Sequence, residues 1–314
     1  MKTRPNVVVS KCLGFAACRY NGQMLTSELV EKLRPHVEFT AVCAEVEVGL
    51  GVPRDPIRLV QEKGSIKLMQ PATGRDVSDD MNRFSEGFLS TLRNIDGFIL
   101  KNRSPSCGIK DVKVYSSIQD GASIRKDAGF FGGQVLRKYG GLAVEDEGRL
   151  KDDGIREHFL TKLYTLARFR SVRSMADLVR FQAENKLLLM AYNQTGMRAL
   201  GRIVANKEKK TLEDVMGEYR IGLQNAFLRA PRRSSAVNVL MHAFGYFKEQ
   251  LNEKEKIFFL TSLDSYRAGT TPLNSILTML RMWIVRFDED YLSTQTFFSP
   301  YPKELETLKE DIFT

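Results

Sequence analysis

The chain has 314 residues, 43% of them hydrophobic and 27% charged, with 47 basic against 38 acidic side chains and a net charge of +9. That suits two globular domains and excludes disorder as the dominant state, because enough apolar surface is available to offset the entropy of ordering. The richest apolar runs, such as Lys186-Leu187-Leu188-Leu189-Met190-Ala191, are too short to cross a bilayer, so no membrane partner is expected.

Met1-Lys2-Thr3-Arg4-Pro5 leads into a strand-like run with no apolar signal segment, and a cytoplasmic location is expected. Asn6-Val7-Val8-Val9-Ser10 reads as a buried strand. Thr26 is read as the cap of a helix that runs to Leu33 and stops before Pro35. Residues 38–42 read as a second strand and 67–69 as a third. Asp79 or Asp80 is read as the cap of an amphipathic helix over 81–95, followed by a buried strand at Gly97-Phe98-Ile99-Leu100 and a helix over 129–139. Strands alternating with helices predict an α/β domain with a mostly parallel sheet.

From about residue 152 apolar residues recur only at helical spacing. Helices are expected over 155–170, 175–192, 197–205, 212–228, 236–251, 253–267 and 273–287. Ser174, the pair Thr211 and Asp214, and the pair Asn252 and Glu255 provide caps, and Pro272 stands at a helix start. An all-α domain is therefore expected over 149–314, after an α/β domain over 1–148, with Glu145-Asp146-Glu147-Gly148 as the hinge. The basic excess is spread through both halves, apart from Lys207-Glu208-Lys209-Lys210 and Arg229-Ala230-Pro231-Arg232-Arg233, so contact with nucleic acid is permitted but not demanded.

All four cysteines lie in the first third: Cys12, Cys18, Cys43 and Cys107. Cys12, Cys43 and Cys107 each follow a predicted strand. If those strands are parallel, their carboxyl ends share one edge, where open α/β sheets bind ligands. Three soft thiolates there suit an iron–sulfur cluster or zinc. Cys18 is either a neighbour or a fourth ligand that closes the site. Glu45, two residues after Cys43, is placed to act as a general acid or base. In Arg103-Ser104-Pro105-Ser106-Cys107-Gly108, Pro105 stiffens the turn and Gly108 allows close backbone approach.

Together Ser10-Lys11-Cys12-Leu13-Gly14, Cys18-Arg19-Tyr20-Asn21-Gly22, Cys43-Ala44-Glu45, Gly49-Leu50-Gly51-Val52-Pro53-Arg54 and Arg103-Ser104-Pro105-Ser106-Cys107-Gly108 resemble the thiouracil desulfurase family over about 145 residues. The resemblance implies a [4Fe–4S] cluster held by Cys12, Cys43 and Cys107 with one iron open, Glu45 as catalytic acid, and Ser104, ahead of Ser106, as its assistant. Arg19, Tyr20 and Asn21 become candidates for contacting substrate. The implied activity is non-redox removal of sulfur, as hydrosulfide, from a thiolated pyrimidine base or nucleoside, with thiolated tRNA kept among the candidates. Ala44 stands where the family usually has proline, Asn21 where it has aspartate, and Val48-Gly49 where paired glycine is commoner. Residues 151–308 are similar to the YbgA-like helical domain, with Gln182 replacing a common histidine. There Arg202, Asn238, His242 and Arg267 are read as helix-surface or satisfied core residues. The rival expectation is an iron–sulfur sensing or binding module whose helical domain contacts nucleic acid or a protein.

Overall fold

The computed structural model describes residues 3–119 and 121–306. Residues 307–314, expected to continue the helical domain, lie outside the described residues, as do Met1 and Lys2. The chain forms two compact units, one of residues up to Arg170 together with the segment from Tyr301, the other Ser171–Pro300.

In the first unit β1 (Asn6–Ser10), α1 (Glu28–Leu33), β2 (Glu38–Val42) and α2 (Ala44–Glu47) are followed by β3 (Arg58–Glu62), β4 (Ser65–Gln70) and β5 (Arg75–Asp76). Then come α3 (Ser78–Thr91), β6 (Gly97–Leu100), β7 (Val112–Tyr115), β8 (Ser123–Asp127), α4 (Phe130–Tyr139), β9 (Ala143–Asp146) and α5 (Asp153–Arg170). One sheet has the order β2-β1-β6-β9 and is parallel throughout. The expected parallel sheet is therefore present.

Successive side chains of a strand point to opposite faces. Val7, Val9 and Ile99 accordingly pack with Leu29 and Leu33 of α1 and Phe159 and Leu163 of α5. Val8, Phe98 and Leu100 pack on the other face with Met81 and Leu89 of α3 and Phe131 and Val135 of α4. Burial on both faces explains why these strands read as unbroken apolar runs. The predicted strand at 67–69 belongs to β4, in a second, mixed sheet of order β5-β4-β3-β7-β8. That sheet was not expected. Its strand β8 is almost wholly exposed, with Ile124 its one apolar residue, so it carries little apolar signal.

Several boundaries move. Ser27, not Thr26, stands at the start of α1. Helix α3 begins at Ser78 because Asp76 Oδ1 accepts the Ser78 N–H at 2.9 Å, so neither Asp79 nor Asp80 is the cap. The expected hinge is instead the end of an ordered strand, with Glu145 and Asp146 paired to Ile99 and Leu100 of β6. Helix α5 belongs to the first unit, so the compact units divide after Arg170 rather than near 148.

The second unit is helical: α6 (Met175–Glu184), α7 (Lys186–Ala205), α8 (Leu212–Ala226), α9 (Arg233–Gly245), α10 (Glu253–Ala268), α11 (Leu273–Arg286) and α12 (Asp290–Ser293). The three expected caps are made, and Asn252 with Glu255 closes a full capping box. Trp283 packs among Phe244, Phe247 and Phe259, with ring centroids 5.3–6.2 Å away. The helix expected over 175–192 breaks at Asn185. Its side chain donates to the Phe181 carbonyl at 2.8 Å, while the Gln295 amide takes the Leu187 N–H and donates to the Ala183 carbonyl. A long-range partner thus satisfies both broken helix ends. No helix among the described residues is long and apolar enough to cross a membrane.

Phe98 is fully buried at the centre of the parallel sheet, with the Tyr139 ring 5.2 Å away. Phe98→Ala is expected to lower stability by about 3–5 kcal/mol, measured by urea unfolding; a loss below about 1 kcal/mol would contradict this packing account.

Candidate active site and metal centre

The connection leaving β1 leads to β2 on one side, whereas β6, on β1's other flank, leads onward to β9. Chain paths diverging between adjacent parallel strands open a crevice at their carboxyl ends. A cavity of about 340 Å³ lies there. It is lined by Cys12 and Cys18 after β1, Cys43 and Glu45 after β2, and Lys101, Ser104 and Cys107 after β6. Cys12, Cys43 and Cys107 therefore face one space, and Cys18 joins them.

Burial first, and then the neighbouring thiols of Cys107, Cys18 and Cys43, raise the Cys12 thiol above its ordinary range, against the opposing pull of Lys101. Burial pushes Cys107 up to about 12, with a hydrogen bond from Ser10 opposing. Cys18 is pushed up to about 12 by burial and by the adjoining Cys43. A set of crowded, desolvated thiols stays protonated unless a cation compensates the thiolates. The donor set is thus soft and in need of a positive core, which fits an iron–sulfur cluster. As they stand, the described residues form no ready-made group of three His, Cys, Asp or Glu ligands for a metal ion; the thiols line a shared cavity instead.

The loop after β6 is shaped by backbone contact with α4. The Gly129, Phe130 and Gly132 N–H groups donate to the carbonyls of Gly108, Pro105 and Ser106 at 2.7, 3.1 and 2.9 Å. The start of α4 thereby spends donors on the cysteine loop that a helix cannot satisfy internally. A side chain at Gly132 would meet the Cys107 and Gly108 carbonyls at 2.5 and 2.4 Å.

Glu45 is clamped from both sides. Ser106 Oγ donates to Oε1 at 2.6 Å, and Ser104 Oγ lies 3.3 Å from Oε1 and 2.9 Å from Ser106 Oγ. Ser104 Oγ also accepts the Cys107 N–H at 3.1 Å. On the other oxygen, Arg54 Nε and Nη2 donate to Oε2 at 2.9 and 2.7 Å. Carboxylate, hydroxyls and cysteine loop form one connected polar network, in which each member orients the next.

The candidate residues do not all reach the cavity. Ser104 lines it, whereas Ser106 is fully buried behind Glu45. Arg19 and Tyr20 line it, with the guanidinium 5.5 Å from the ring centroid, and Tyr20 is exposed. Asn21 does not. Its amide donates to Gln23 Oε1 at 2.8 Å and its carbonyl takes the Gln23 N–H, so the side chain closes a local turn. Arg54 and Lys101 line the cavity but were not assigned roles from the sequence. Lys101 pairs with Glu147, 46 residues later. In the second unit Arg202 borders a separate cavity, Asn238 and His242 are exposed, and Arg267 pairs with Asp264 at 2.7 Å.

Residues 7–147 match the family model described as 2-thiouracil desulfurase, and residues 186–302 match a protein of unknown function, DUF1722. The uncharacterised protein YbbK of Bacillus subtilis (strain 168) is 32% identical over 156 residues, covering 46% of this chain and 98% of YbbK. The uncharacterised protein YbgA of Escherichia coli (strain K12) is 28% identical over 127 residues, covering 40% of this chain and 75% of YbgA. A solved [4Fe-4S]-dependent thiouracil desulfidase, TudS, is 28% identical over 47% of this chain and 94% of its own, with a TM-score of 0.36. The chain belongs to the 2-thiouracil desulfurase family through its first unit, and carries a DUF1722 segment of the YbgA type.

Gly132→Ala is expected to displace the cysteine loop and to destabilise the first unit by about 1–3 kcal/mol. Thermal unfolding checks this. Gly87→Ala, at a helical glycine with open space around it, serves as the control; equal midpoints for the two variants would contradict the account.

Proposed function

We propose that the protein removes sulfur from a thiolated pyrimidine base or nucleoside by a non-redox, cluster-dependent hydrolysis. The observation that carries this reading is the convergence of Cys12, Cys43 and Cys107 on one cavity beside the Glu45 carboxylate. In the proposal those three thiols hold a [4Fe–4S] cluster. When bound, such a cluster with one iron free of protein ligands supplies a soft Lewis acid for the thiocarbonyl sulfur.

The balance needs no electron donor. Water adds to the ring carbon and the carbon–sulfur bond breaks; the water oxygen stays in the carbonyl product, one of its protons leaves on hydrosulfide, and the other is passed through the base to solvent. Glu45 is the group that takes and returns a proton, since its carboxylate borders the cavity and is held in place by Ser104, Ser106 and Arg54. Ser104, at the cavity surface, is assigned to orient water or the ring; Ser106 orients Glu45 from behind. Arg19 and Tyr20 are assigned to the substrate, the exposed ring offering a flat face to a planar heterocycle.

One observation favours the rival reading. Cys18 lines the same cavity and its thiol adjoins Cys43, as a fourth ligand would. Four thiolate ligands leave no open iron, and the protein would then sense or bind rather than hydrolyse.

After anaerobic reconstitution Cys107→Ala is expected to lack the brown cluster absorbance and to release no sulfide from thiouracil. Wild-type sulfide release by that variant would overturn the proposal. Glu45→Gln is expected to keep iron and sulfide content but to lose about 10²-fold or more in kcat. Cys18→Ala is expected to retain cluster and turnover; loss of the cluster would favour the sensing module.

A further inference from the structure

We propose that Arg54 is a positioning residue for this reaction, holding Glu45 and the loop 18–20 in one frame; the inference rests on the desulfurase reading above. Its side chain is 4% exposed. A buried guanidinium is costly unless its donors are satisfied, so the partners it has found report what it is there to hold. Four of its five N–H groups are engaged. Nε and Nη2 grip Glu45 Oε2 at 2.9 and 2.7 Å. Nη1 donates to the Cys18 carbonyl at 3.0 Å and to the Gly51 carbonyl at 2.9 Å. The Arg54 backbone N–H donates to the Tyr20 carbonyl at 2.8 Å.

Two consequences follow. Oε2 of Glu45 is fixed by a cation, which leaves Oε1 to the serine hydroxyls and the cavity. The loop that carries Arg19 and Tyr20 is tied at the Cys18 carbonyl by the Arg54 side chain and at the Tyr20 carbonyl by the Arg54 backbone N–H. Base and substrate-facing loop therefore share one anchor. Among the described cavity-lining side chains Arg54 is the one that bonds both the Glu45 carboxylate and the Cys18 carbonyl, beside a longer contact from the Cys43 thiol to that carbonyl. A displacement on the ångström scale at such a site costs about 10²-fold in rate. Lysine cannot replace this planar fork, because its donors radiate from one point and cannot reach Glu45, Cys18 and Gly51 together. Arg54 acts through these groups, since its bound donors leave little to offer a substrate.

The test uses full-length, cluster-loaded protein under anaerobic conditions with thiouracil as substrate. Arg54→Lys and Arg54→Gln are compared with Glu45→Gln and with the Arg54→Gln, Glu45→Gln double variant. Iron and sulfide content and the equilibrium affinity for uracil are measured alongside kcat and KM. Arg54→Lys is expected to load like the wild type, to bind uracil within about threefold, and to lose about 10- to 100-fold in kcat. Arg54→Gln is expected to lose at least as much in the wild-type background, but less than about threefold when Glu45 is already Gln, because the anchored base is then absent. Wild-type kcat in both single variants overturns the proposal. So does the same fold-loss in both backgrounds, or loss of the cluster in both single variants, each of which assigns Arg54 a structural role. A wild-type protein that releases no sulfide sinks the desulfurase reading and this inference with it, whereas an active wild type with equally active Arg54 variants sinks the inference alone.

Discussion

The parallel pairing of β1 with β2 on one side and β6 on the other is the constraint on which the site depends. Thiols at positions 12, 43 and 107 are far apart in the chain. They face one cavity because the three strands end at the same edge and the connections diverge there. An antiparallel β6 would send the 101–107 loop to the opposite edge, and no local adjustment could recover the convergence. The buried faces of Val7, Val8, Val9, Phe98 and Ile99 hold that register, so the chemistry at the edge rests on apolar packing beneath it.

Above the strands the site is built by polar contacts that couple its parts. The start of α4 shapes the loop of Cys107 through backbone hydrogen bonds, and Ser104 links that loop to Glu45. Arg54 carries the same network to the loop of Cys18 and Tyr20. Thiols, carboxylate and the cavity-lining loop of Arg19 and Tyr20 are thus mechanically joined. A carboxylate held by a guanidinium and hydroxyls beside three thiols is the arrangement on which the proposed desulfuration rests, with the carboxylate as the proposed proton carrier.

How much of this could be read from the amino-acid order follows from burial. Strands β1, β2 and β6 were legible because two are near-continuous apolar runs and all three lead into a cysteine. Of the second sheet only the strand at 67–69 is legible, since Arg58 to Glu62 offers just Leu59 and Val60 between polar residues and Ser123 to Asp127 just an exposed Ile124. The break at Asn185 was hidden because it depends on Gln295, more than a hundred residues away. The same holds at the site. The cysteines and Glu45 could be placed from strand ends. The resemblance ranks Ser104 ahead of Ser106, but nothing in the residues themselves shows which lies deeper, because depth behind Glu45 is a tertiary property. Asn21 does not line the cavity, because its side chain pairs with Gln23 in a turn that composition alone does not reveal. Arg54 stood in a recognised motif, yet its role as an anchor emerges only from the acceptors that surround it.

The most direct measurement of the central claim is an anaerobic crystal structure of the reconstituted protein. The account predicts a single iron–sulfur core bonded to the Sγ atoms of Cys12, Cys43 and Cys107, with the Cys18 sulfur unbound. A core bonded to Cys18 as well, or a metal centre held elsewhere in the molecule, would contradict it.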